Sequence, residues 1–131
     1  MKIICDTNLL VRILTEDDPA QAVEAAEFLG TAEMIVLPIV VLCELAWNLR
    51  KEKWAGSEVA RIMRDLIEDS RVVVDRDLAE RGLAILESGG DFADGVIAAD
   101  GGRLGEGAFA TFDRKASRLL EAQGVRVTLL G

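Results

Sequence analysis

Short apolar runs alternate with longer amphipathic stretches along the whole chain. The runs KIIC, MIVL, RVVV, GAFATF and VRVTLL have the length and the β-branched or aromatic content of buried strands. The stretches between them carry apolar residues at helical spacing. This alternation predicts an α/β fold with a mostly parallel sheet.

Local start and stop signals place the predicted helices. Asp18 before Pro19 is a typical helix start, Gly30 is a plausible stop, and Gly89 with Gly90 closes another helix. The predicted helices are NLLVRILT, the stretch from Pro19 to Gly30, IVVLCELAWNLRKEK after Pro38, Ser57 to about Asp69, DLAERGLAILES, DFADGVIAAD and RKASRLLEAQ. No repeat or linker divides the chain, so residues 1–131 are expected to form a single domain.

Composition narrows the possible chemistry. The chain has no histidine, which excludes Ser-His-Asp and Cys-His catalysis and most zinc sites. Cys5 and Cys43 are the only cysteines and are expected to be small buried hydrophobes, with a disulfide or ligation of a soft metal as the alternatives. No apolar run reaches the length of a membrane span and no signal peptide is evident, so a cytoplasmic protein is expected.

The formal net charge of −8 argues against general nucleic-acid binding through a basic surface. A nuclease with a clustered acidic site remains compatible with it, because bound divalent cations would neutralise several of those charges.

Two aspartates stand where an apolar strand gives way to a helix: Asp6 in IICDTN and Asp113 in ATFDRK. Ligand sites in open α/β sheets lie beyond the carboxyl ends of the strands, so these side chains meet if their strands are neighbours. Thr111 faces the same side of its strand as Asp113. The alternative is that each aspartate is only a helix N-cap.

Two further acids lie within predicted helices. Glu44 interrupts the apolar stretch IVVLCELAW, where a carboxylate is costly unless it is paired, coordinated or solvated. The alternative is a solvated stripe of Glu44, Asn48 and Lys51. Asp91 and Asp94 share one helix face, and Asp94, beside Gly95 and one turn from Ala98, is expected to have room for a ligand. Asp91 is equally well explained as a cap, and Asp94 as a solvated residue.

Carboxylates gathered at one edge would repel one another unless cations neutralised them, and oxygen-only ligands favour Mg²⁺ or Mn²⁺. Such a site is suited to phosphodiester hydrolysis. Asp94 is the preferred candidate for accepting the proton of the attacking water.

The segments DTNLLVRILTEDDP, LCELAWNL, GGDFADGVIAAD and FATFDRKASRLL, in this order, resemble the PIN-domain ribonucleases, and most of all the VapC-type toxins of bacterial toxin–antitoxin pairs. The resemblance implies a Mg²⁺- or Mn²⁺-dependent endoribonuclease that forms a homodimer and is covered by an antitoxin. It implies a three-layer α/β/α fold with one five-stranded parallel sheet of order 3-2-1-4-5. The implied catalytic and metal-binding acids are Asp6, Glu44, Asp94 and Asp113, with Thr7, Asn8, Asp91 and Thr111 in supporting positions. Gly101 and Gly102 depart from the family pattern and are expected to shorten the helix that carries Asp94.

RNA contacts are expected from basic side chains, with ordinary solvated surface charge as the alternative; the candidates are Arg12, Arg50, Lys51, Lys53, Arg114 and Lys115. Trp47 and Trp54 could stack on bases, but Trp47 is expected to pack in the core or against a partner.

A phosphotransfer receiver domain is the main rival, with Asp75 as the acceptor. It lacks adjacent acids after the first strand and a lysine after the fifth. A haloacid-type phosphatase would need an aspartate at position 8, where Asn8 stands. A non-catalytic Mg²⁺-binding module remains a third alternative.

Overall fold

The computed structural model describes all 131 residues, which divide into two compact units, Met1–Asp75 and Arg76–Gly131. The elements of the first unit are β1 (Lys2–Ile4), α1 (Thr7–Thr15), α2 (Pro19–Gly30), β2 (Met34–Val36), α3 (Ile39–Lys51), α4 (Gly56–Glu68) and β3 (Val72–Val73). Every helix and strand predicted for this part of the sequence is present, with ends within two residues of the prediction.

The first unit contains a parallel sheet of order β1-β2-β3. Ile3 pairs with Ile35, and Ile35 pairs with Val72. These three side chains are buried, whereas the next residue along β1, Ile4, is 73% exposed. Because side chains alternate across a strand, one row of β-branched residues forms the inner face of the sheet. The rest of the core comes from α3 and α4, through Leu42, Leu45, Leu49, Val59 and Met63.

Arg71 joins the end of α2 to the start of β3. Its Nη2 lies 3.0 Å from Oδ2 of Asp69, and its Nη1 donates to the carbonyl of Leu29 at 3.1 Å. The hydrogen bonds from Arg71 hold the pKa of Asp69 below its ordinary value. The guanidinium group thus gives the Leu29 carbonyl at the end of α2 a further donor besides the Ala32 amide.

The second unit carries mainly helices, and its elements are α5 (Arg76–Glu87), α6 (Phe92–Leu104), β4 (Phe109–Thr111), α7 (Arg114–Ala122) and β5 (Val127–Leu129). Strands β4 and β5 run parallel, with Phe109 opposite Val127. Gly89, with a φ of +95°, occupies the left-handed conformation that ends α5. None of the seven helices of the chain is both long and apolar enough to cross a membrane.

Helix α6 is longer than predicted. It continues through Gly101 and Gly102 to Leu104, so the expectation that these glycines shorten it is wrong. Glycine costs about 1 kcal/mol relative to alanine in a helix, a small penalty beside the packing of α6 against α5.

Two glycines allow α5 and α6 to approach closely. A Cβ atom on Gly95 would overlap the carbonyl oxygen of Arg81, and one on Gly82 would overlap the ring of Phe92. Phe92 is 1% exposed. The sequence suggested that Gly95 leaves room for a ligand beside Asp94, and this is wrong, because the backbone of α5 takes that space.

The predicted single sheet is also corrected. The five strands form two sheets, β1-β2-β3 and β4-β5, instead of one sheet of order 3-2-1-4-5. β1 pairs only with β2, and β4 pairs only with β5. Each strand has two or three residues, so each strand pair contributes only a few hydrogen bonds. The α/β character and the parallel pairing are as predicted.

Candidate metal centre

In the first unit, Asp6 and Glu44 are linked through Thr7. Asp6 follows β1 and caps α1, with its Oδ1 accepting a hydrogen bond from the Thr7 amide at 2.8 Å. The Thr7 hydroxyl donates to Oε1 of Glu44 at 3.0 Å. Thr7 is only 5% exposed, so this link is fixed by a buried side chain. Two carboxylates from different helices are therefore oriented at the carboxyl end of β1.

Glu44 lies on the solvent side of α3, because Val41 and Leu45 take the buried side. Its charge is therefore not buried, and the predicted alternative of a solvated helix stripe describes this part of α3 correctly. The same stripe holds Asn48, whose amide donates to the Glu44 carbonyl at 2.9 Å. The hydrogen bond from Thr7 gives Glu44 a defined direction that a solvated stripe alone would not.

In the second unit, Asp91 and Asp113 are helix N-caps. Oδ1 of Asp91 accepts from the Ala93 amide at 3.2 Å, and Oδ1 of Asp113 accepts from the Ala116 amide at 3.0 Å. The Thr111 hydroxyl accepts from the Asp113 amide at 3.0 Å, which fixes the turn into α7. Both residues therefore make the cap hydrogen bonds that the sequence had suggested as an alternative.

The three capping aspartates and Glu44 each keep one free carboxylate oxygen. In Asp6, Glu44, Asp91 and Asp113 one carboxylate oxygen accepts the hydrogen bond described above, and the other has no protein donor. A capping aspartate can therefore also be a metal ligand, since the two roles use different oxygens.

Asp94 differs from the other acids. It is half-buried in the first turn of α6, and its carboxylate accepts no hydrogen bond from the protein. Burial raises the pKa of Asp94, and the charges of Asp91 and Asp113 raise it further. A desolvated carboxylate beside two others, with no donor of its own, is suited to bind a cation or to accept a proton.

The oxygen atoms that each unit offers are of the kind that hard divalent cations bind. In both units they are carboxylate oxygens with one threonine hydroxyl beside them, and the chain has no imidazole, which is the chemistry that Mg²⁺ and Mn²⁺ prefer. As the side chains stand, no three acidic or cysteine residues lie close enough together to hold a metal ion.

Cys5 does not add a soft ligand. It is fully buried, and its Sγ donates to the carbonyl oxygen of Asp6 at 3.5 Å. Burial raises the pKa of the Cys5 thiol, and the charge of Asp6 raises it further. Cys43 is half-buried, and neither cysteine takes part in a disulfide, so the disulfide alternative is not realised.

The basic residues proposed for RNA contact differ in whether they already make hydrogen bonds within the protein. Arg12 donates from Nε to Oε1 of Gln21 at 2.7 Å. Arg50 is used at the end of α3, where its Nη1 donates to the Trp54 carbonyl at 2.7 Å. The remaining candidates are exposed at the surface of their units: Lys51, Lys53, Arg114 and Lys115.

Trp47 does not pack in the core. It is 59% exposed, and Nζ of Lys51 lies 5.0 Å from the centre of its ring. The expected core packing is therefore wrong, because Trp47 falls on the same outward face of α3 as Glu44. Trp54 is half-buried.

The sequence reasoning missed a cavity between α1 and α2, which Asn8 and Arg12 line together with Gln21, Glu24 and Phe28. The available signal was the spacing of the last three at i, i+3 and i+7 on one helix face.

Comparison with known proteins identifies the family of the chain. The model of the PIN domain family matches residues 3–121, a range that includes all four proposed catalytic acids and both compact units. No curated protein matches the sequence. PIN domains have a three-layer α/β/α fold and are typically Mg²⁺-dependent nucleases. Because the match covers most of the chain, this protein belongs to the PIN domain family.

Proposed function

We propose that this protein is a Mg²⁺- or Mn²⁺-dependent endoribonuclease of the VapC type, acting as the toxin of a toxin–antitoxin pair in the cytoplasm. The observation that carries the nuclease proposal is the hydrogen-bonded link from Asp6 through Thr7 to Glu44. A buried threonine that orients two carboxylates at the end of a parallel strand serves a ligand site better than it serves fold stability.

We assign Asp6, Glu44, Asp94 and Asp113 as the catalytic and metal-binding acids. Bound Mg²⁺ or Mn²⁺ would supply charge stabilisation to the phosphodiester and acidify the attacking water. We also assign Asp94 as the group that would take the proton from the attacking water, since its carboxylate accepts no hydrogen bond from the protein. Thr7 and Thr111 position the acids beside them. Asp91 supports Asp94 from the preceding cap, and Asn8 follows Thr7 in the first turn of α1.

The test uses the full chain purified free of any partner, single-stranded and structured RNAs, and Mn²⁺, Mg²⁺ or EDTA. Cleavage should require the metal and should fall by at least about 100-fold in Asp6→Asn and in Asp94→Asn. Asp65→Asn is the matched control, because Asp65 is an exposed aspartate of α4 outside the site. Circular dichroism checks that all variants are folded.

Equal cleavage by Asp94→Asn and the wild type would remove the site assignment. Cleavage that persists in EDTA would show that the activity does not depend on a metal ion. No cleavage of any RNA by the metal-loaded wild type would favour the remaining alternative, a non-catalytic Mg²⁺-binding module.

The toxin role predicts a cognate antitoxin and a homodimer. Exposed apolar side chains on α3, Val40 and Trp47, offer surface for such contacts. Induced expression should arrest growth, and co-expression of a short DNA-binding protein encoded next to the gene should relieve the arrest. Arrest by Asp94→Asn as strong as that by the wild type would separate toxicity from cleavage. Sedimentation measures the oligomeric state.

A further inference from the structure

A cavity of about 490 Å³ lies between α1 and α2 and begins at Asn8, two residues beyond Asp6. Leu9, Ala25 and Phe28 give it apolar walls. Its volume is in the range of pockets that hold small organic ligands. Since α1 starts at the Asp6 cap, a ligand here would lie near the group that Asp6 acts on.

The cavity also contains polar groups that the protein does not use. Nε of Arg12 donates to Oε1 of Gln21 at 2.7 Å, which fixes the plane of the guanidinium group. Its two Nη atoms have no protein acceptor, and the carboxylate of Glu24 has no protein donor. The cavity therefore offers a pre-oriented pair of donors and a free pair of acceptors.

Charge indicates what kind of ligand fits. One arginine and one glutamate among the lining residues give no net positive charge, so a phosphate is not favoured. A flat neutral ligand with two acceptors on one edge and two donors on another matches these groups. Among the RNA bases guanine has this pattern, with O6 and N7 accepting and N1–H and N2–H donating.

Resting on the proposed ribonuclease function, we propose that this cavity binds an unpaired guanine of the RNA substrate close to the cleaved phosphodiester. Arg12 donates to O6 and N7, and Glu24 accepts from N1–H and N2–H. Phe28, 45% exposed, offers a ring face for stacking. Adenine directs its amino group at the donors of Arg12, and uracil satisfies only one group on each side.

The first experiment measures binding and needs no activity. Fluorescence anisotropy in EDTA compares five-nucleotide RNAs of uridine with guanine, adenine, cytosine or hypoxanthine in the centre. We expect the wild type to prefer guanine over adenine by about tenfold or more, with hypoxanthine between them. Arg12→Lys and Glu24→Gln should each reduce that preference to within about twofold.

Glu27→Gln is the matched control, because Glu27 is an exposed glutamate of α2 that does not line the cavity. It removes the same charge and should keep the full preference for guanine. Equal loss of the preference in Glu24→Gln and Glu27→Gln would reduce the effect to net charge and overturn the proposal.

The second experiment maps cleavage of a longer RNA with Mn²⁺, and its outcomes separate the two proposals. Metal-dependent cleavage without guanine preference would overturn the guanine subsite and leave the ribonuclease. Guanine-selective binding without any cleavage would support the guanine subsite and contradict the proposed ribonuclease activity. If Glu24→Gln weakens only the binding of the antitoxin protein and the wild type has no base preference, the cavity is a protein-docking groove and the proposal is wrong.

Discussion

At the scale of single residues, Thr7 stands out in the first unit and Asp94 in the second. Thr7 contributes its amide to Asp6 and its hydroxyl to Glu44, so one buried residue sets the direction of two carboxylates. Asp94 has no hydrogen-bond donor in the protein, and its neighbours Asp91 and Asp113 carry the same charge. Thr7 orients the carboxylates of the first unit. In the second unit, Asp94 provides a carboxylate whose charge is unfavourable until a cation or a proton binds to it.

Replacing Thr7 by valine keeps its shape and removes the donor to Glu44. Cleavage in Mn²⁺ should fall by about 10- to 100-fold, the usual effect of losing a partner that orients a metal ligand. Thr7→Ser keeps the hydroxyl and should recover most of the activity. If the valine and serine variants are equally impaired, packing at this buried position matters and the hydrogen bond does not.

Replacing Asp94 by asparagine should stabilise the metal-free protein at pH 7. The pKa of Asp94 is raised in the folded state, so its contribution to stability is complete below the ordinary value of 3.8 and is lost as the pH rises through the folded value. The variant should melt about 1–3 °C higher in EDTA at pH 7, with the gain shrinking toward pH 4. A lower melting temperature at pH 7, with Asp65→Asn unchanged, would contradict this cause.

At the scale of elements, the close crossing of α5 and α6 holds Asp94 in place. Gly95, the next residue, meets the carbonyl oxygen of Arg81, and Gly82 faces the ring of Phe92. A glycine is needed at each position because the opposing atoms are backbone or a fully buried ring. The acidic first turn of α6 is therefore positioned by packing against α5, in addition to its cap at Asp91.

Gly95→Ala should destabilise the protein by about 1–3 kcal/mol, because two helices must move apart. Gly101→Ala, the matched change later in α6, meets no atom within 4 Å and should stabilise by up to about 1 kcal/mol. Urea unfolding of both variants measures the difference. Similar free energies of unfolding for the two would show that α5 and α6 are not in close contact at Gly95.

At the scale of the whole molecule, the main feature is the excess of negative charge. The chain carries a formal net charge of −8, and each compact unit holds acids with unused oxygens. Repulsion among such groups costs free energy in the absence of cations. A cation that binds only the folded state therefore reduces this repulsion and stabilises the fold.

Mn²⁺ at about 100 times its Kd should stabilise the fold by about 2.7 kcal/mol, which raises the melting temperature by several degrees. Differential scanning fluorimetry against a Mn²⁺ series measures it. Asp94→Asn should lose most of the shift, and Asp65→Asn should keep it. An equal shift in both variants would show that the ion acts on the general charge of the protein.

Much of the local structure follows from local signals. Asp18 with Pro19 predicted the start of α2, and Gly89 predicted the end of α5, because caps and left-handed glycines act within one turn. Asp6, Asp91 and Asp113 each cap a helix, so the cap hydrogen bonds that the sequence allowed are present. The same aspartates remain available as ligands through their second oxygens.

What the sequence did not predict depends on partners distant in the chain. Strands of two or three residues carry almost no information about their neighbours, so the single five-stranded sheet was wrong. The role of Gly95 depends on which helix crosses it, and the length of α6 depends on packing that outweighs two glycines. Trp47 was expected in the core or against a partner because its surroundings are apolar. The core is excluded, because Trp47 lies on the outward face of α3.

The burial of Cys5 makes the chain its own probe of local opening. Its thiol is shielded from solvent and lies one residue before Asp6, at the junction of β1 and α1. An alkylating reagent can reach it only when that junction unfolds transiently, so the labelling rate counts opening events. In a Cys43→Ser background the alkylation rate reports the opening of this single junction. Cations or RNA bound at the junction would lower the alkylation rate of Cys5, which measures binding without any cleavage.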